Sequence, residues 1–162
     1  MRADGPDAKG WIVHSARTAV TSMASLLAAR ACQLPEAYWA PITTLVITQS
    51  SLGAALSVSR QRLVGTVLGA VVGALIATRS GPHLFVFGAC IFVIGLLCAV
   101  IGSDHSAYRF GGVTLAIVLL IPRTKSPAHV ALHRFAEVSI GIGIALLFTI
   151  LWPESEESTT AG

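Results

Sequence analysis

Charge is what this sequence most conspicuously lacks. Of its 162 residues only 12% are Asp, Glu, Lys or Arg, where a soluble protein carries roughly 25%. A soluble domain of this size must still coat itself in polar side chains, and this chain has too few. Its three cysteines, Cys32, Cys90 and Cys98, form no CxxC or zinc spacing. They read as small buried residues in a reducing or lipid setting, and no metal site or cofactor is expected. No Ser/His/Asp or Cys/His constellation and no paired carboxylates suggest hydrolysis, so the chain is not read as an enzyme. The formal net charge of +3 is scattered between apolar runs. With no basic patch, nucleic acid is not an expected partner.

What the chain has instead is apolar length. Hydrophobic residues make up 54% of it, and the mean hydropathy is +0.74. Charge-free windows fall at 18–29, 37–59, 63–78, 84–102, 110–122 and 138–153. A bilayer-spanning helix needs about 20 mostly apolar residues. The second and fourth windows meet that alone, the third and sixth do so with flanking residues, and the first and fifth are short. Six spans of about 20 residues fill about 120 positions and leave only tails and tight turns. The expected architecture is an all-α polytopic membrane protein, a bundle of about six transmembrane helices, with the lipid bilayer as its first partner. Its expected parts are a tail at 1–10, a membrane domain at 11–153 and an acidic tail at 154–162. Trp11, Trp39 and Trp152 stand at expected span boundaries, where indoles anchor at the membrane–water interface. Pro35, Gly81-Pro82, Pro122 and Pro127 fall between spans. Arg2, Lys9 and Arg17 followed by Ala29-Arg-Ala31 also fit a cleavable signal peptide, but Thr21, Ser22 and Ser25 are polar for its apolar region. Lys and Arg divide too evenly between the two sides to set the orientation.

The stretch SRQRLVGTVLGAVVG, 59–73, then poses a question. Glycine costs a helix in water about 1 kcal/mol against alanine, yet Gly65, Gly69 and Gly73 recur every fourth residue. In lipid, apolar side chains gain nothing by leaving hydrocarbon for another helix. Association depends on close packing, which a small-residue strip permits. These glycines are therefore expected to pack against a helix, either in this chain or in another copy. Arg60 and Arg62 are expected to mark the membrane boundary just before that helix. No Gly-Lys-Ser/Thr follows, so a phosphate loop is excluded, and Gly141-Ile-Gly143 lacks the rest of a dinucleotide fingerprint.

Polar side chains inside spans are costly, and by default they suggest function. Span one carries His14, Thr18, Thr21 and Ser25 on one stripe with Arg17 beside it. That stripe faces protein or a water-filled cavity, unless Arg17 simply lies at the surface. In span two, Thr44, Thr48 and Ser51 can bond to their own helix, whereas Gln49 cannot do so as simply. Span six opens with His129, His133 and Glu137 at i, i+4 and i+8. Arg134 beside that row disfavours a bound metal and offers an ion pair with Glu137. Glu137 is also a candidate proton-coupling carboxylate.

Three pieces of sequence resemble a known family: YWAPITTLVITQS at 38–50, the arginines Arg60 and Arg62 followed by LVGTVLGAVVG at 63–73, and HRFAEVSIGI at 133–142 in a span closing on Leu151-Trp-Pro153. Together they resemble the fusaric acid resistance protein-like, or aromatic acid exporter, family over about residues 17 to 153. The resemblance implies a bacterial inner-membrane helical bundle with both termini cytoplasmic, linked to efflux of aromatic or other organic acids. Motif membership carries to Trp39, Pro41, Gln49, Arg62, Gly65, Thr66, Gly69, Arg134 and Glu137. Larger members resemble two such membrane halves joined by a soluble domain, and this chain resembles one half. It is thus expected to pair with itself or with a partner membrane subunit. The leading expectation is a transporter module for a small organic anion. Arg17, Gln49, Arg62, Arg134 and Glu137 are its substrate or proton candidates. The alternative is a non-transporting scaffold or accessory subunit whose glycine strip docks another membrane protein.

Overall fold

A computed structural model describes residues 8–48, 51–79, 83–121 and 126–152. Among these residues the chain is all-α and contains no strand. Its helices are α1 (Ala8–Ala31), α2 (Trp39–Ile47), α3 (Leu52–Ala77), α4 (Leu84–Val100), α5 (His105–Leu120) and α6 (Pro127–Leu151). The expected acidic tail 154–162, most of the N-terminal tail and Gln49 lie outside the described residues.

The helix boundaries correct one expectation. The charge-free window 37–59 is not one span. It breaks into the short α2 and the start of α3, where Ser51 adopts an extended conformation and its side chain accepts the Ala54 N–H. That capping geometry satisfies a donor that α3 would otherwise leave open. Helix α3 then runs without interruption through Arg60 and Arg62 to Ala77. Arg62 stands ten residues after Leu52, about 15 Å along a helix of about 39 Å. It is therefore well inside the element, not a post at its edge, and only Arg60 is exposed. Windows that end at charges place every charge at a boundary by construction.

Helices α3 and α6 are long and apolar enough to cross a membrane, and α4 and α5 are shorter apolar helices. The outer surface is strongly hydrophobic: Phe85 is 88% exposed, Val100 85% and Leu84 78%. The interior combines apolar clusters, with Ile47, Ile94, Leu115 and Val138 fully buried, with an unusual number of polar groups. Buried there are Arg17, Thr21, Ser25, Thr43, Thr44, Ser59, Arg62, Thr66, Thr114, Arg134, Glu137 and Thr149. Polar groups inside with large apolar side chains outside suit a hydrocarbon solvent and would aggregate in water.

Contacts fix the relative directions of the helices. Along α6, Gly141 lies against Ala40 and Thr43 of α2, and further along Ala145 shares a cluster with Ile47 and Ala55. Helix α6 therefore runs with α2. Helices α3 and α5 also run together, because Gly65, Gly69 and Gly73 meet Ala107, Gly111 and Val118 in that order. The glycine strip is thus spent inside the chain. A Cβ on Gly65 or Gly69 would drive into the backbone of Ala107 or Gly111, and one on Gly73 would stand 3.1 Å from Val118 Cβ. Gly111 supplies the other side of that contact, since its own Cβ would stand 3.1 Å from Gly65 O of α3, and 2.8 Å from Ile94 Cγ2 of α4.

Candidate functional site

The buried charges gather on the helices that enclose the bundle interior. On α6 the buried residues include Arg134, Glu137, Gly141, Ala145 and Thr149. From Glu137 onward these recur every fourth residue, so one face carries them all. The glycine in this row has a positional purpose. A Cβ on Gly141 would lie 2.5 Å from Ala40 O and 2.7 Å from Thr43 Cβ, so its absence brings α2 directly onto α6. Thr44 closes the joint by donating to both Ala40 O and Gly141 O, each at 3.1 Å.

Arg62 reaches into this joint from α3. Its Nε donates to Thr43 Oγ1 at 3.2 Å, and its guanidinium lies 4.8 Å from the centre of the Phe110 ring of α5. Arg134 lies over the Trp39 ring at 3.8 Å, an arrangement that stabilises a cation most where water is excluded. Trp39 is itself held from the other side, its Nε1 donating to Glu36 Oε2 at 3.1 Å. Trp39 thus opens α2 as expected, yet its ring also covers a buried cation. Trp11 and Trp152 remain on the outside at the ends of α1 and α6.

The Arg134–Glu137 pair is loose. Its closest approach is 3.9 Å, with both side chains 2% exposed. Arg134 Nε and Nη1 have no hydrogen-bond partner among the described residues. An unsatisfied buried donor costs roughly 1–3 kcal/mol, and more when charged. Arg62 and Arg134 also lie near enough for their like charges to act on one another, with the carboxylates of Glu137 and Glu36 opposing that repulsion at Arg134.

Arg17 forms a second buried cationic position. It is 1% exposed and its Nη2 donates to Thr149 Oγ1 at 3.3 Å. It does not lie at the surface of α1, and the stripe containing Thr21 and Ser25 turns inward with it. Several span hydroxyls donate back to their own helices, as Thr21 does to Arg17 O at 2.7 Å and Thr48 to Thr44 O at 2.8 Å. Three residues of the site were not singled out from the sequence: Thr43, Phe110 and Thr149. The four-residue recurrence of Glu137, Gly141, Ala145 and Thr149 is the signal that points to the last.

Thr43→Val removes the acceptor of a buried guanidinium while keeping the side chain's shape. The expected loss of stability is about 1–3 kcal/mol, with Thr43→Ser close to wild type. Thermal melts of the two variants in the same detergent provide the check.

The fusaric acid resistance protein-like family model matches residues 22–148. The chain belongs to that family. Among curated relatives, inner membrane protein YeeA of Escherichia coli K12 is 34% identical over 151 residues, covering 88% of this chain and 41% of that protein. A Salmonella typhimurium protein named as the uncharacterized transporter YdhK is 27% identical, covering 90% of this chain and 23% of its own length. A Mycobacterium bovis protein whose name suggests arylamide transport is 26% identical over 72% of this chain and 34% of its own length. The chain therefore spans less than half the length of these relatives. No solved structure matches it. Membership in this family and an apolar exterior make the chain a membrane protein of a transporter family.

Proposed function

We propose that the chain is a multi-pass inner-membrane transporter module that exports small organic anions, aromatic acids among them, with both termini in the cytoplasm. The observation that supports this best is the charge balance of the interior. Arg17, Arg62 and Arg134 are buried there with Glu137 as the buried carboxylate among the described residues. Buried cations in excess of buried anions are costly unless something neutralises them. A substrate carboxylate is suited to do so, since a guanidinium recognises it with paired donors, and Arg134 keeps two such donors unmatched. Trp39 and Phe110, already beside the arginines, give an aromatic substrate apolar surface to lie against. The arylamide name of one relative agrees with an aromatic substrate.

Glu137 gives this site a means of coupling. While ionised, it competes with an incoming carboxylate for Arg134. Once protonated, it releases Arg134 to the anion, so proton and anion leave together and export runs down the outward gradient of the acid itself. Pairing of this membrane domain with a second copy or a partner membrane subunit is part of the proposal, and chemical crosslinking in membranes tests it. The scaffold alternative has lost its motivating feature, because Gly65 and Gly69 are buried against the backbone of α5.

Proteoliposomes containing the full chain, loaded with fusaric acid or 4-hydroxybenzoate, test the reading. Wild type is expected to accelerate release when the lumen is more acidic than the bath, and to slow it when the gradient is reversed. Arg62→Gln should reduce release at least tenfold. Glu137→Gln should lose the dependence on the gradient while keeping one-for-one exchange. Release no faster than from empty vesicles, for a panel of aromatic and aliphatic acids, would remove the proposal.

A further inference from the structure

The histidines at the start of α6 have no use in the anion site, yet they are arranged for one. His129 and His133 lie one turn apart with their Nε2 atoms 3.0 Å from each other and their ring centres 4.1 Å apart. That contact requires one ring to present Nε2–H and the other a lone pair, so the pair shares a proton along its axis. His129 stands three residues after Ser126, whose Oγ accepts its backbone N–H at 3.4 Å. It therefore belongs to the first turn of the helix, and both histidines are half-buried. One further turn along the same face comes Glu137, which is 1% exposed.

We infer that His129 and His133 form a proton relay from the aqueous end of α6 to Glu137. The inference deepens the reading above and rests on it, since it supplies the route by which the coupling carboxylate is protonated. A proton taken up by His129 displaces the shared proton toward His133. His133 then yields a proton to the Glu137 carboxylate one turn deeper. Each imidazole ends neutral, the carboxylate gains one hydrogen and loses its charge, and no bond between heavy atoms changes. Imidazole is suited to such a step because it exchanges protons near neutral pH and has a nitrogen on each side of its ring.

The surrounding charges restrict the route. On α6 itself Arg134 flanks the row. From other elements, Arg62 of α3 and Glu36 of the connection before α2 act on this region through Arg134, and Tyr38 beside them is exposed. Arg17 of α1 meets α6 far along, at Thr149. Arg30 of α1, Arg60 of α3, and His105, Tyr108 and Arg109 of α5 are exposed. The cations Arg62 and Arg134 oppose a free hydronium in the same space, which favours transfer along neutral imidazoles.

The test needs no transported substrate. The full chain in lipid nanodiscs is taken through a rapid pH drop while infrared spectroscopy follows the protonated-carboxyl band, assigned by its loss in Glu137→Gln. In wild type the band is expected to rise promptly. In His133→Gln and in His129→Ala the rise should slow at least tenfold with the same final amplitude, and added imidazole should restore the rate in His129→Ala. Circular dichroism of each variant checks that the helices remain intact. A wild-type band whose rate is unchanged in both histidine variants overturns the relay and leaves Glu137 coupling in place. A wild type with no Glu137 band overturns both.

Discussion

Gly69→Leu should yield almost no folded protein. Helix α3 lies against α5 so closely at this point that even a Cβ would enter the backbone of Gly111. Backbone cannot rotate aside as a side chain can, so the two helices must separate along their whole contact. Ordinary overpacking costs about 1–3 kcal/mol. Here a whole side chain meets backbone, and the cost should reach the upper end of that range or exceed it. A loss of about 3 kcal/mol shifts the folded-to-unfolded ratio by more than a hundredfold. The contact also holds the site together, because Arg62 stands between Gly65 and Ser59 on the buried face of the same helix. Gly143→Ala is the matched control, since nothing lies within 4 Å of a Cβ there. It should be neutral or stabilising by up to about 1 kcal/mol. Size-exclusion profiles and melting temperatures in one detergent separate the two outcomes. A monodisperse Gly69→Leu protein melting near wild type would contradict the packing described here.

These same glycines show how far the sequence could be read. The strip at 65, 69 and 73 identifies a packing face because lipid removes any other reason for glycine at that spacing. Its partner was not legible: Gly111 stands beside Gly112 in a short charge-free window and carries no such periodicity. Arg62 was legible as important but misplaced, because a cut at every charge cannot put an arginine inside a helix. Its own spacing carried the answer. Arg62, Thr66, Gly69 and Gly73 follow at intervals of four, three and four, which is the interior face of α3. The tryptophans divide in the same way. An indole at a span end reads as an interface anchor, and nothing local says that Trp39 also covers Arg134. That contact joins α2 to α6 across 95 positions of chain, and only the assembled bundle brings them together.

The Arg134–Glu137 pair separates structure from transport in a single experiment. Arg134→Met should destabilise the bundle by about 3–5 kcal/mol, because it leaves a carboxylate buried without its cation. Glu137→Met should do comparable damage by removing the counter-charge of Arg134. Arg134→Met combined with Glu137→Met removes both charges and replaces them with apolar groups of similar length. Buried pairs exchanged in this way are often neutral or even stabilised, so the double variant should melt near wild type. Its two substitutions therefore couple strongly, which a double-mutant cycle measures directly. Transport should not recover with stability. On the proposed mechanism the double variant has lost both the guanidinium for the carboxylate and the group for the proton, and it should release acid no faster than empty vesicles. If it regained stability and pH-driven release together, the pair would be a structural clasp and the anion would pass elsewhere. If it stayed as unstable as the single variants, the 3.9 Å separation would not reflect a working ion pair. Arg134 would then owe its place to Trp39.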